Sequence, residues 1–149
     1  MTIGELCNRE VVVVNKGETA LEAVKLMRQY HVGDVVVVEG KDDRKVPTGI
    51  LTDRDIVIEL VAEQVDPESV TVEDVMSDQL LTINESDELL DTLEKMRAKG
   101  VRRVPVVGKE GELVGILTLD DVLDILAEAL QDLALLAGRE QRRERETRA

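Results

Sequence analysis

The chain has 149 residues, 43% of them apolar and 34% charged, with one tyrosine, no tryptophan, no phenylalanine and a formal net charge of −13. This is the composition of a folded chain rather than a disordered one, and its core must be built from Val, Leu, Ile, Met and Ala. The negative charge opposes binding to nucleic acid or anionic lipid, and the missing aromatics remove the stacking platforms that single-stranded nucleic acid uses.

Taken in chain order, the first element is the β-branched run at 11–14, read as a buried strand. Thr19 then offers an N-cap for an amphipathic helix with Ala20, Leu21, Val24 and Met27 on its apolar face, and Tyr30 is read as packing at its end. Four valines at 35–38 form a second strand. A charged, glycine-containing connection at 39–48 leads to a short third strand carrying Gly-Ile-Leu. A second helix opens after Thr52, with Ile56, Val57, Leu60 and Val61 apolar. Pro67 forbids an uninterrupted helix across 62–77.

The same order then recurs. Aligning Met27 with Met96 superposes two stretches at an offset of 69, while GILTDRD at 49–55 matches GILTLDD at 115–121 at an offset of 66. The three-residue difference falls in the 39–48 connection, where insertions are tolerated. The second copy has a strand at 80–83 and a helix capped by Ser86 or Asp87 with Leu89, Leu90, Leu93 and Met96 apolar. A strand at 104–107 follows, where Pro105 suits an edge or first position, and a last helix has Val122, Leu123, Leu126 and Leu130 apolar. VEDVMS at 72–77 resembles IGELCN at 3–8, a short lead-in belonging to each repeat. The expected fold is α+β: two tandem β-α-β-β-α units, each covering its sheet poorly alone, packed sheet to sheet. The expected boundaries are 1–66, 67–137 and an Arg/Glu-rich tail at 138–149, read as a solvated helix end.

The repeated phrase has two readings. Thr-x-x-Asp at a strand-to-helix junction is a capping box, and its glycines suit a tight turn. The same atoms suit a nucleotide: the helix end and Thr hydroxyl for phosphate, the Asp carboxylate for ribose hydroxyls.

The tandem plan, the VMSDQLLTI lead-in, the GVRRVPVV strand and the two Gly-Ile-Leu-Thr-x-x-Asp phrases together resemble a pair of CBS domains, over nearly the whole chain. The resemblance implies a pseudo-twofold module with two composite clefts for adenosine-containing ligands: AMP, ADP, ATP or S-adenosylmethionine. It implies association of two modules into a homodimer, no catalysis and no required cofactor. It assigns Thr118 and Asp121 to a first cleft with Val12, Val32 and Gly33. A second cleft pairs Thr52, Arg54 and Asp55 with Ser77, Leu81, Val101 and Arg102. The second holds Arg54 and Arg102, with Arg103 adjacent, where the first has Gly33, Asp34 and Asp120, so the second is expected to hold phosphate more tightly.

No P-loop, metal-ligand cluster or nucleophile–base pair is visible, which argues against an enzyme. Cys7 is the only cysteine, so no intrachain disulfide is available. With no secretory leader and no apolar run of membrane-spanning length, a cytoplasmic protein is expected. The expected function is a regulatory module acting on an unidentified effector protein. The rival is a ligand-free scaffold that uses the pair for dimerisation and docking. The final helix, apolar at Leu123, Leu126, Leu130, Leu133 and Leu136, needs a partner, most simply a second copy.

Overall fold

The computed structural model describes every residue except Asp42, Asp43, Asp78 and Ala149. Parts of the expected 39–48 connection, of the second lead-in and of the tail therefore lie outside the described residues. The chain divides into two compact units, Met1–Leu117 and Thr118–Ala149. The elements are α1 (Ile3–Leu6), β1 (Val13–Asn15), α2 (Ala20–Tyr30), β2 (Asp34–Glu39), β3 (Val46–Thr52), α3 (Asp53–Asp55), α4 (Val72–Val75), β4 (Ile83–Asn84), α5 (Leu89–Lys99), β5 (Arg103–Val107), β6 (Leu113–Thr118) and α6 (Leu119–Arg148). The class is α+β, with two three-stranded sheets ordered β1-β2-β3 and β4-β5-β6. β1 and β4 run parallel to β2 and β5, as a helical crossover through α2 or α5 requires.

Val35, Val36, Val37 and Val38 are all buried, so β2 is covered on both faces, and β-branched side chains fill both. Val35 and Val37 join Val14, Met27, Leu51 and Leu60 in one apolar cluster. The runs at 11–14 and 80–83 are strand only at their ends, two residues of the first and one of the second. β1 begins at Val13 and β4 at Ile83, and the residues before them form the walls of recesses instead.

Several apolar positions fall elsewhere than periodicity predicts. α3 passes directly into a π-helical segment, Ile56–Val61, which buries Ile56 and Leu60 but leaves Val57 and Val61 more than half exposed. Leu90 is 74% exposed, while Thr92 is fully buried with its hydroxyl donating to the Glu88 carbonyl at 2.9 Å. In the second unit Leu123, Leu126 and Leu130 are exposed. Pro105 is buried inside β5, the middle strand, rather than at an edge. β4 pairs β5 only at Val106 and Val107, so the missing N–H costs that ladder nothing.

Thr19 caps α2, accepting from the Glu22 N–H at 3.2 Å. Neither Ser86 nor Asp87 caps α5, whose N-cap is Glu88. Asp87 accepts instead from the Asn84 N–H at 3.2 Å. At the helix ends, His31 and Gly100 occupy equivalent places, and both are left-handed, at φ 55° and 67°. Only glycine takes that conformation freely. His31→Gly is expected to stabilise the fold by about 0.5–1 kcal/mol, read as a raised melting temperature.

The lead-ins are exchanged. α1 precedes the first repeat but docks on the second, where Ile3 and Gly4 N–H groups donate to the Asp87 and Glu85 carbonyls. α4 precedes the second repeat but docks on the first: Val72 and Glu73 donate to Glu18 and Lys16, and Val72 is buried in the first cluster. The ensuing residues bridge onto the third strands in the same crossed sense, Asn8 to Ile116 and Ser77 to Ile50.

This crossing explains the phrase's glycines. They are not turn residues. Gly49 lies within β3, opposite Val37. A Cβ there would sit 2.6 Å from Met76 Sδ and 2.8 Å from the Ser77 carbonyl oxygen. On Gly115 it would sit 2.6 Å from Cys7 Sγ and 2.9 Å from the Asn8 carbonyl oxygen. Each glycine makes room for a crossing lead-in.

Candidate functional site

β3 ends at Thr52, and the chain turns at once into α3. Thr52 Oγ1 accepts from the Asp55 N–H at 3.1 Å, and Asp55 Oδ2 accepts from the Thr52 N–H at 3.0 Å, a complete capping box. Asp53 Oδ1 accepts from the Arg54 N–H at 2.8 Å, and the Gly33 carbonyl accepts from the Asp53 N–H at 2.9 Å. This junction forms one wall of a cavity of about 460 Å³. Ser77, Leu80 and Leu81, on the stretch that crosses from the lead-in toward β4, form a second wall. The turn from α5 into β5, Gly100 to Arg103, forms the third.

All seven residues expected in the second cleft, Thr52, Arg54, Asp55, Ser77, Leu81, Val101 and Arg102, line this one cavity. Sequence reasoning missed Ile50, Asp53, Gln79, Leu80 and Gly100 as lining residues. Asp53 was legible as the residue following the cap, and Gly100 as the left-handed helix end. The volume is in the range of small-ligand pockets. The lining brings three guanidinium groups, Arg54, Arg102 and Arg103, together with two carboxylates, Asp53 and Asp55.

Arg103 does not stand alone. Its Nη1 lies 3.0 Å from Asp34 Oδ2, a largely buried oxygen that has no well-directed hydrogen bond. Asp34 and Arg103 occupy equivalent places at the offset of 69, so the contrast between the two repeats becomes an ion pair joining them.

Of the residues expected in the first cleft, Val12 and Val32 line a separate recess of about 540 Å³ with Val11, Leu26 and Tyr30. Gly33 is not among its lining residues; it contacts Asp53 instead. Tyr30 is exposed on this recess rather than packed at its helix end. In the second unit, Thr118 Oγ1 accepts from the Asp121 N–H at 3.1 Å, so this copy of the phrase also caps a helix. Burial pushes the Cys7 thiol up from its ordinary pKa, against an opposing effect of Arg9, which disfavours the reactive thiolate. Among the described residues no group of three or more His, Cys, Asp or Glu is placed to hold a metal ion, and no helix is long and apolar enough to cross a membrane.

The model of the CBS-domain family matches twice, over residues 3–62 and 72–128. The chain belongs to the CBS-domain family. The CBS pair is 38% identical over 125 residues to an uncharacterized protein of Methanopyrus kandleri, covering 84% of this chain and 62% of that one. It is 35% identical over 127 residues to Hypoxic response protein 1 of Mycobacterium tuberculosis, covering 85% of this chain and 86% of the relative. Among solved structures, a CBS domain protein of Pyrobaculum aerophilum complexed with AMP superposes with a TM-score of 0.71 at 29% identity, over 81% of this chain and 89% of that one.

Proposed function

We propose that this CBS pair is a regulatory module that binds an adenosine-containing nucleotide in the 460 Å³ cavity and signals to another protein chain. The observation that carries this reading is the convergence of Asp55, fixed by its capping box, with Arg54, Arg102 and Arg103 around one cavity. A carboxylate held in this way can accept from ribose hydroxyls, and guanidiniums can bind phosphate. The AMP complex of the Pyrobaculum relative supports the choice of ligand class. Within that class, AMP, ADP and ATP fit the arginines better than S-adenosylmethionine, whose sulfonium adds positive charge. We assign the working repeats to 1–66 and 67–137, with 138–149 as a tail. A ligand acts here only through its unequal affinity for two states of the module.

A thermal-shift titration with the four ligands on the wild type, Asp55→Asn and Asp121→Asn tests this. A ligand at a hundred times its Kd stabilises the folded chain by about 2.7 kcal/mol. AMP, ADP or ATP should raise the melting temperature, and Asp55→Asn should weaken that response about tenfold or more, beyond the effect of Asp121→Asn. If no nucleotide shifts melting at millimolar concentration, the phrase serves only as a helix cap and the ligand-free scaffold reading replaces this one.

A further inference from the structure

One guanidinium of the cavity is claimed from outside it. Arg103 lines the cavity, yet its Nη1 lies 3.0 Å from Oδ2 of Asp34, a residue that is not among the lining. The Asp34 side chain is 17% exposed, its Oδ2 is buried, and no donor is well directed at that oxygen. The contact is a close charge pair without the aligned geometry that makes Arg–carboxylate pairs strong. Asp34 depends on it, because a buried carboxylate with neither a counter-charge nor a hydrogen bond is costly. Arg103 depends on it less. Its side chain is the more exposed of the two, at 32%, and its guanidinium has five donors to offer elsewhere.

Asp34 also stands at a joint between the repeats. It begins β2 and pairs with Thr52 at the end of β3, and the Gly33 carbonyl before it accepts from the Asp53 N–H at 2.9 Å. Its backbone is thereby fixed to the first wall of the cavity, the capping turn that holds Asp55. Arg103 belongs to the third wall, on the other repeat. The ion pair ties these two walls together. A nucleotide phosphate in the cavity and the Asp34 carboxylate are rival anions for one guanidinium.

We infer that Asp34 is an internal competitor for the nucleotide phosphate: it holds Arg103 and links the two repeats until a phosphate draws Arg103 away and releases that link. The inference rests on the nucleotide reading and supplies two states between which a ligand discriminates. The effect is reciprocal by linkage, so the pair lowers phosphate affinity by the factor by which phosphate weakens the pair.

Isothermal titration calorimetry with AMP, ATP and adenosine tests it on the wild type, Asp34→Asn, Arg103→Gln and the double variant. Asp34→Asn keeps the shape of the side chain and removes its charge. It should bind the phosphorylated ligands about fivefold more tightly or better. Adenosine, which has no phosphate, should bind this variant and the wild type equally. Arg103→Gln should weaken binding of the phosphorylated ligands about tenfold or more, and in that background Asp34→Asn should bring no gain. Without ligand, Arg103→Gln should lower the melting temperature and the double variant should recover most of the loss, which checks the pair and the fold of each variant. Weaker phosphate binding in Asp34→Asn overturns the proposal and makes Asp34 a positioning residue that aims Arg103 at the ligand. An unchanged affinity, an equal gain for adenosine, or a gain that persists without Arg103 also overturns it. If the wild type takes up neither AMP nor ATP at millimolar concentration, the nucleotide reading falls and the competition falls with it, leaving a purely structural ion pair.

Discussion

Gly49→Val is expected to be among the most damaging single substitutions in the chain. The backbone there is extended, so the harm does not come from a forbidden dihedral angle. It comes from the crossing lead-in: even a Cβ would lie 2.8 Å from the Ser77 carbonyl oxygen, a backbone atom that cannot swing aside, and 2.6 Å from Met76 Sδ. Ser77 is also tied to β3 by its N–H bond to the Ile50 carbonyl at 3.4 Å, so the lead-in has to move as a whole. Overpacking of this kind costs about 1–3 kcal/mol, and a β-branched side chain belongs at the upper end. Because Ser77 lines the cavity, nucleotide affinity should fall along with stability. Gly17→Ala is the control. Its Cβ would meet only Asn15 Oδ1, at 3.8 Å, and its effect should stay within about 0.5 kcal/mol. Chemical denaturation and nucleotide titration of both variants check the prediction. Equal stability of the two would show that the lead-in yields freely.

Leu51→Ala should be comparably damaging to stability by the opposite route. Leu51 is fully buried, faces Val35 across the β2–β3 ladder, and belongs to the core cluster with Leu60 and Val72. Removing it leaves a void bounded by rigid strands and by the docked α4, so little can collapse inward. The expected loss is about 3 kcal/mol, or roughly 10 °C in melting temperature for a chain of this length. Urea titration should show a lower midpoint with an unchanged slope. Because Leu51 immediately precedes the Thr52 cap, the variant also separates stability from ligand affinity. At a temperature where it remains folded, it should still bind nucleotide, since none of the cavity-lining side chains has been removed.

The duplicated plan was legible in the residues themselves. Val35 to Val38 read as a strand and Thr52 with Asp55 as a helix start, because those preferences act within a few residues of chain, and both are found. The seven residues of one cleft could be named because the resemblance to a CBS pair assigns them, and they line one cavity. What local pattern could not supply was anything set by contact across the repeats. Helical periodicity placed Leu90, Val57 and Val61 inside, yet all three are exposed, since a periodic face says which residues share a side and not how wide a strip the neighbouring element covers. The phrase's glycines read as turn residues until the lead-ins were seen to cross onto Ile50 and Ile116. Asp34 and Arg103 read as a difference between two copies until the fold brought them to 3.0 Å. Secondary structure follows from short-range propensity and was written in the chain. The exchange of lead-ins, the pairing of equivalent residues and the walls of the cavity depend on which distant segments meet, and the tertiary structure alone decided that.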